Sequence, residues 1–169
     1  SSCDQPGKTD YSVSGKAQKG PFMQGSAVTL FELDDDLRQT GNSFLSTTTS
    51  DDGSFNFPNV ALKNSFALID VNGFYFNEIF GESSPAPISL QGIAEVSDEQ
   101  EVNVNVMTHI IRKRLETLVS EGQSFQDAKS QAESELLMLL GVSESIDDEF
   151  EAFDISREED QNAILLSLS

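Results

Sequence analysis

The hydrophobic periodicity changes at Met107, and this change constrains the fold more than any other feature of the sequence. Before it, apolar and polar residues alternate over short runs, which is typical of half-buried β-strands. After it, apolar residues recur at helical spacing. We therefore predict a mixed fold, β then α: an N-terminal antiparallel β-sandwich of about seven strands, followed by a helical hairpin and the start of a further helix.

The strand candidates are short, rich in β-branched or aromatic residues, and separated by turn residues. They lie at 11–18, 27–33, 43–50, 54–57, 65–71, 74–80, 87–96 and 101–107. Residues 34–42 are predicted to form a long turn region. The Asp51-Asp52-Gly53 sequence predicts a tight hairpin turn, because glycine adopts positive φ without strain.

The most aromatic segment is "GFYFNEIF", residues 73–80. Alternation places Phe74 and Phe76 on one side of a strand, and Tyr75 and Asn77 on the other. We expect this strand to be buried against the helical hairpin. If it is exposed instead, Tyr75 and Asn77 become the candidate contacts for a glycan or protein ligand.

The helical part begins with an apolar stripe from Met107 to Val119, which Gly122 ends. Ser124 is the predicted N-cap of a second helix that stops at Gly141. Ser156 and Glu159 have the spacing of a capping box, which predicts a third helix. The third helix leads into an apolar run, "AILLSLS", within which the sequence stops.

These patterns divide the chain into a flexible tether at 1–10, a β-sandwich at 11–106 and a helical region at 107–169. The strand pattern passes directly into the helical pattern at Met107, so we expect the two folded parts to share one core. Because the sequence stops inside an apolar run without a cap, we expect the natural protein to continue beyond Ser169 and the helical region to be incomplete.

Cys3 is the only cysteine of the chain, and it lies in "SSCDQPGKTD". Small residues before a cysteine and a polar linker after it resemble the lipobox junction of bacterial lipoproteins. The resemblance implies a removed signal peptide, a lipid anchor on Cys3 and a membrane as partner. It places the protein in the bacterial cell envelope, as an outer-membrane lipoprotein facing the periplasm or the cell surface. The alternative is an incidental free thiol in a flexible terminus.

The net charge of −19 argues against nucleic acid as a partner, because acidic side chains spread along the chain repel phosphate. His109 is the only histidine, and we expect it to be structural or surface-exposed. One histidine and one cysteine cannot supply a closed zinc site. We predict no cofactor apart from a candidate calcium site, since calcium prefers clustered carboxylates.

The candidate calcium ligands are two runs of aspartate in turns, and the site requires both runs to lie at one end of the sandwich. The alternative is turn chemistry, in which each aspartate accepts hydrogen bonds from nearby backbone amides. The residues are Asp34, Asp35, Asp36, Asp51 and Asp52.

Two stretches carry a family resemblance: "GKAQKGPFMQGSAVTLFEL" and "TTTSDDGSFNFPNVALKNSFALIDVNGFYF". Their order of an early glycine, a small-residue turn, a threonine strand and D-x-x-G-x-F-x-F resembles the carboxypeptidase regulatory-like domain. The resemblance covers residues 11–80 in detail. It implies a transthyretin-type β-sandwich and a non-catalytic accessory or adhesive module. The turn region at 34–42 and the helical continuation depart from the family pattern.

Together these features predict a lipid-anchored bacterial surface protein that is not an enzyme and acts as a binding, adhesive or scaffold module. One alternative is a structural spacer that presents downstream domains. The other is a hydrolase whose catalytic residues lie beyond this chain. Exposed aromatic side chains would favour the binding module. A uniformly polar surface would favour the spacer, and a deep pocket with close carboxylates would favour the hydrolase.

Overall fold

The computed structural model describes residues 7–97, 100–142 and Phe150, so Cys3 and the predicted third helix lie outside the described residues. Short strands come first and two helices follow, which confirms the predicted fold class. The strands are β1 Thr9–Gln18, β2 Ala27–Leu33, β3 Gln39–Thr47, β4 Ser54–Leu62, β5 Phe66–Gly73, β6 Phe76–Asn77, β7 Glu82–Ser83, β8 Ile88–Glu95, β9 Gln100–Glu101 and β10 Val104–Asn105. The helices are α1 Val106–Ser120 and α2 Phe125–Leu139.

The main strands form two sheets. In sheet I the order is β10-β1-β4, and β9 also pairs with β1. In sheet II the order is β3-β2-β5-β8, with each neighbouring pair antiparallel. The β1–β4 pair is antiparallel as well, whereas β9 and β10 run parallel to β1. A separate two-stranded hairpin, β6–β7, is inserted between β5 and β8.

The first hydrophobic core lies between the two sheets. Phe55 and Phe57, the alternating pair after the Asp-Asp-Gly turn, are 2% and 3% exposed and lie on the same face. Their rings meet edge to face, with centroids 6.1 Å apart. Leu30 of β2 and Val71 of β5 face them from sheet II. The alternation in the sequence therefore predicted this core correctly.

β1 and the β9–β10 segment approach each other closely at Gly15. A Cβ atom there would collide with the carbonyl oxygen of Val102 and with the ring of Phe55. Asn103 lies between β9 and β10, and its Oδ1 accepts the backbone N–H of Lys16 on β1 at 2.8 Å. A buried asparagine side chain thus supplies the acceptor that a regular ladder would take from the backbone.

The second hydrophobic core lies on the outer face of sheet II. Leu68 and Ile93 alternate with residues of the first core along their strands, so they project to the opposite face and pack against the helices. Ile111 of α1 belongs to this cluster, and the Phe125 ring of α2 lies 4.8 Å from that of Phe66. The expectation of one shared core is therefore wrong, because sheet II separates two cores.

A reciprocal cap fixes the start of α1. Oδ1 of Asn105 accepts the N–H of Thr108 at 3.0 Å, and Oγ1 of Thr108 accepts the N–H of Asn105 at 3.0 Å. The Asn105 amide also donates to the carbonyl of Phe150 at 2.9 Å. Ser124 caps α2, as predicted. Among the described residues, no helix has the length and apolar character needed to cross a membrane.

Four segments predicted from the sequence differ in extent from the structure: 34–42, 54–57, 74–80 and 101–107. β4 continues from Ser54 to Leu62, and the segment 101–107 contains the end of β9, all of β10 and the first residues of α1. Residues 34–42 are not a long turn, because β3 already begins at Gln39 and extends the β2–β3 hairpin. In the segment 74–80, only Phe76–Asn77 is a strand. A local turn, in which Oδ1 of Asn77 accepts the N–H of Ile79, ends the strand pairing that alternation predicts there.

Candidate functional site

Three connections meet at one end of the sandwich: 19–26, 48–53 and 74–87. The strand register identifies this end. Ala27 pairs with Asn72 on this side, whereas Leu33 pairs with Phe66 at the opposite end, where the helices pack. We call the three connections the aromatic end.

Thr48 joins the first two connections. It is 1% exposed, and its hydroxyl donates to the carbonyl of Met23 at 2.6 Å while accepting the N–H of Ser26 at 2.9 Å. The backbone N–H of Gln24 donates to Oδ1 of Asp51 at 2.8 Å. These bonds hold the 19–26 loop against the β3–β4 turn.

Backbone bonds hold the third connection in the same way. The N–H of Met23 donates to the carbonyl of Phe74 at 2.9 Å, and the N–H of Phe76 donates to that of Pro21 at 2.9 Å. On the other side, the N–H of Ser84 donates to the carbonyl of Tyr75 at 2.8 Å. The β6–β7 hairpin is therefore attached to the 19–26 loop along β6, and the bond between Ser84 and Tyr75 closes the base of the hairpin.

Four large apolar side chains of this connection are exposed together. Phe74 and Phe76 are 45% and 40% exposed, while Ile79 and Phe80 at the turn are 77% and 74% exposed. We call these four residues the aromatic patch. The expected burial against the helical hairpin is wrong, because the helices pack near the opposite end of sheet II.

Tyr75 and Asn77, the predicted ligand contacts, both make contacts within the aromatic end. Tyr75 is half-buried against the first core, and Nζ of Lys19 lies 5.3 Å from its ring centroid, within the range of a cation–π contact. Oδ1 of Asn77 accepts the backbone N–H groups of Ile79 and Phe80 at 3.1 and 3.3 Å. The alternation of Phe74 and Phe76 was visible in the sequence, but their exposure was not.

The candidate calcium ligands are not brought together. Asp34 lies in the turn before β3, where its Oδ1 accepts the N–H groups of Asp36 and Arg38 at 3.0 and 2.9 Å. Asp35 is exposed in the same turn. The other two aspartates follow the far end of the nine-residue strand β3.

Asp52 accepts hydrogen bonds from the Ser50 hydroxyl and from the Ser54 backbone N–H, the latter at 2.9 Å. The hydroxyls of Ser50 and Ser54 are the main cause of the lowered pKa of Asp52. Across residues 7–97 and 100–142, no group of three or more His, Cys, Asp or Glu residues could hold a metal ion. This arrangement matches the turn chemistry and not the calcium prediction.

Gly53 closes the β3–β4 turn with φ at +81°, and a Cβ there would collide with the carbonyl oxygen of Ala17. The Ala17 N–H also donates to the Gly53 carbonyl at 3.0 Å. We expect Gly53→Ala to lower the free energy of unfolding by about 1–3 kcal/mol more than Gly122→Ala. Gly122 is the matched control, because its φ is +98° but a Cβ would meet nothing within 4 Å. Equal denaturant midpoints for the two variants would contradict this account of the turn.

His109 supports the edge of sheet II. Its Nδ1 accepts the backbone N–H of Gln91 at 3.1 Å. Gln91 lies on β8, the edge strand of sheet II as described, so the imidazole supplies an acceptor where no further strand pairs. Burial, followed by the charge of Arg112, lowers the pKa of His109, while Asp70 opposes the shift. The neutral ring that this bond requires is therefore favoured, in keeping with the expected structural role.

Glu32 is a buried carboxylate that the sequence analysis did not single out. It is 2% exposed, and its Oε1 accepts the N–H groups of Lys63 and Asn64 at 2.6 and 2.8 Å. Its Oε2 accepts from the Thr40 hydroxyl at 3.1 Å and from the Asn42 amide at 2.9 Å. Every partner is a donor, so this carboxylate joins the β2–β3 hairpin to the β4–β5 turn.

No family model matches the chain, and no curated protein matches it. Among solved structures, it is similar to a protein from Pseudomonas aeruginosa whose structure is named "putative carbohydrate binding protein". The two are 14% identical, the match covers 60% of this chain and 91% of that chain, and the TM-score is 0.39. A TM-score this low carries no argument about this chain. The resemblance to the carboxypeptidase regulatory-like domain therefore stays a prediction.

Proposed function

We propose that this chain is a non-catalytic binding module of the bacterial cell envelope, anchored through a lipid on Cys3, that contacts its ligand with the aromatic patch. The observation that carries the proposal is the exposure of four large apolar side chains within the single connection 74–87, namely Phe74, Phe76, Ile79 and Phe80. Contiguous exposed apolar surface marks interaction sites in soluble proteins. A spacer would not need it.

The backbone beneath the patch is already ordered. Hydrogen bonds from residues 21–23 and from Ser84 fix the β6–β7 hairpin before any ligand arrives. A surface held in its binding conformation loses little conformational entropy on association. Leu45 is also exposed, at 83%, but it lies on the regular strand β3, outside the aromatic end.

The direction of β1 supports the proposed anchoring. β1 begins at Thr9, which pairs with Leu62 at the end opposite the aromatic patch. Its ten residues span roughly 33 Å at about 3.3 Å per residue. A tether that reaches a membrane from residue 9 would leave the aromatic end pointing away from the bilayer, toward a ligand.

The binding test uses the chain immobilised through its N-terminus and two probes. One is an array of neutral glycans, and the other is a display library of small folded scaffolds. We expect the immobilised chain to retain members of at least one of the two probe sets. The double variant Phe76→Ser, Phe80→Ser should no longer retain them. Leu45→Ser is the matched control and should bind like the wild type. No retained ligand, or equal retention by the double variant, would contradict the assignment of the patch.

The anchoring test concerns Cys3. The protein made with its natural signal peptide should partition with membranes, whereas Cys3→Ser should remain an unprocessed precursor or appear in the soluble fraction. Several acyl chains on one cysteine hold firmly, while one chain gives marginal binding. The acidic surface, with a net charge of −19, provides no attraction to anionic lipids. An unmodified N-terminal thiol on membrane-fractionated protein, found by mass spectrometry, would overturn the anchoring.

A further inference from the structure

We propose that the ligand of the aromatic patch is a protein with an apolar pocket rimmed by basic side chains. This inference rests on the proposed function and specifies its partner. Three properties of the β6–β7 hairpin support it: the turn at its tip, the hydrogen bonds already made by its polar groups, and the charge around it.

The tip is a tight turn with two exposed apolar side chains. The N–H of Gly81 donates to the carbonyl of Asn77 at 2.8 Å, which closes a tight turn between β6 and β7. Ile79 and Phe80 lie in that turn and are the most exposed members of the patch. An exposed apolar pair fits a pocket on its partner, and such buried anchors carry most of the energy of protein interfaces.

Several polar atoms beside the patch are already engaged. Oδ1 of Asn77 accepts two turn amides, and the Ser84 hydroxyl donates to the carbonyl of Ala86 at 2.9 Å. The Ser83 hydroxyl contacts Sδ of Met23 at 3.4 Å, and Lys19 lies over Tyr75. A sugar presents hydroxyl groups that need partners when water is excluded. The tip keeps the carboxylates of Glu78 and Glu82 as acceptors but offers few neutral polar groups for those hydroxyls, so it favours an apolar protein pocket over a glycan.

The charges around the patch are mostly acidic. Glu78 and Glu82 flank the tip and are exposed, and Asp51 and Asp52 are exposed in the neighbouring β3–β4 turn. Complementary potentials across an interface accelerate association and exclude other partners. The partner's rim is therefore basic. A second copy of this chain is disfavoured, because each copy carries a net charge of −19.

The experiment sorts a display library of a small folded scaffold, with a randomised concave surface, against the immobilised chain. We expect enriched clones that combine large apolar residues with lysine or arginine. For a purified clone, Phe80→Ser should weaken binding by about tenfold or more, and Leu45→Ser should leave it unchanged. Glu78→Gln with Glu82→Gln should slow association, as should added salt. Circular dichroism and thermal unfolding confirm that each variant is folded.

Two results would overturn the inference. In the first, the enriched clones lack basic residues, or they bind the Phe80→Ser variant as well as the wild type. A selection that enriches no clone above the level seen with Phe80→Ser counts as the same result. In the second, neutral glycans bind in a way that depends on Phe76 and Phe80, whereas no scaffold clone binds in a way that depends on them. That second result would leave the proposed binding function in place and remove only the protein partner.

Discussion

Replacing Glu32 by glutamine is expected to lower the free energy of unfolding by about 2–4 kcal/mol at neutral pH. Both carboxylate oxygens accept from donors, so an amide would turn its own N–H₂ group toward the backbone amides of Lys63 and Asn64 or toward the Thr40 and Asn42 side chains. In the first orientation both backbone bonds are lost. In the second, the Thr40 hydroxyl can accept instead, but Asn42 loses either its bond to residue 32 or its bond to the Ala61 carbonyl, and every remaining bond loses its charged acceptor. Urea unfolding measures the effect, and Glu101→Gln on exposed β9 is the control.

The difference in stability between the wild type and Glu32→Gln should also depend on pH. Burial raises the pKa of Glu32, but hydrogen bonds from Asn64, Asn42, Lys63 and Thr40 together outweigh it, so the pKa in the folded state lies below its ordinary value. The stabilisation is therefore present above the unfolded-state pKa of about 4.3 and is lost as the pH falls through the lower folded-state value. The wild type should lose its advantage over Glu32→Gln across that window. A constant difference down to the acid transition would contradict the assigned role.

Truncating Ile111 to alanine is expected to cost about 2–5 kcal/mol, because the side chain is 4% exposed in the second core. Ile110→Ala is the matched control: the neighbouring residue on the same helix is 48% exposed. Sheet II contributes to both cores, so we expect one cooperative transition for strands and helices. Far-ultraviolet and aromatic signals that separate in the Ile111→Ala variant would show independent units instead.

The sequence predicted the fold class because periodicity reports which face of an element is buried. Alternation located β2, β5 and β8 to within about two residues. It could not show that sheet II separates two cores. The strand patterns contain apolar residues on both faces, such as Leu68 beside Ile69, and this signal does not say what covers each face.

The candidate site was only partly predictable. The side assignment of Phe74 and Phe76 followed from alternation, but whether that side is covered depends on where the helices pack, which is a tertiary property. Glu32 was missed because a lone glutamate in a strand gives no local signal. Its partners arrive through a bulge: Phe31 pairs with Ser43 but Leu33 pairs with Gln39, which brings Thr40 and Asn42 toward the carboxylate.

The parallel pairing of β1 with β9 and β10 has a consequence for how the chain acquires its structure. Lys16 and Asn103, which bond across this junction, are 87 residues apart in sequence. β1 therefore receives its full complement of partners only after all the other described strands have been made. Contacts between such distant positions slow folding toward milliseconds or seconds. Until residues 100–105 have been synthesised, one side of β1 remains an open edge, and a nascent chain paused earlier would be exposed to non-native strand pairing.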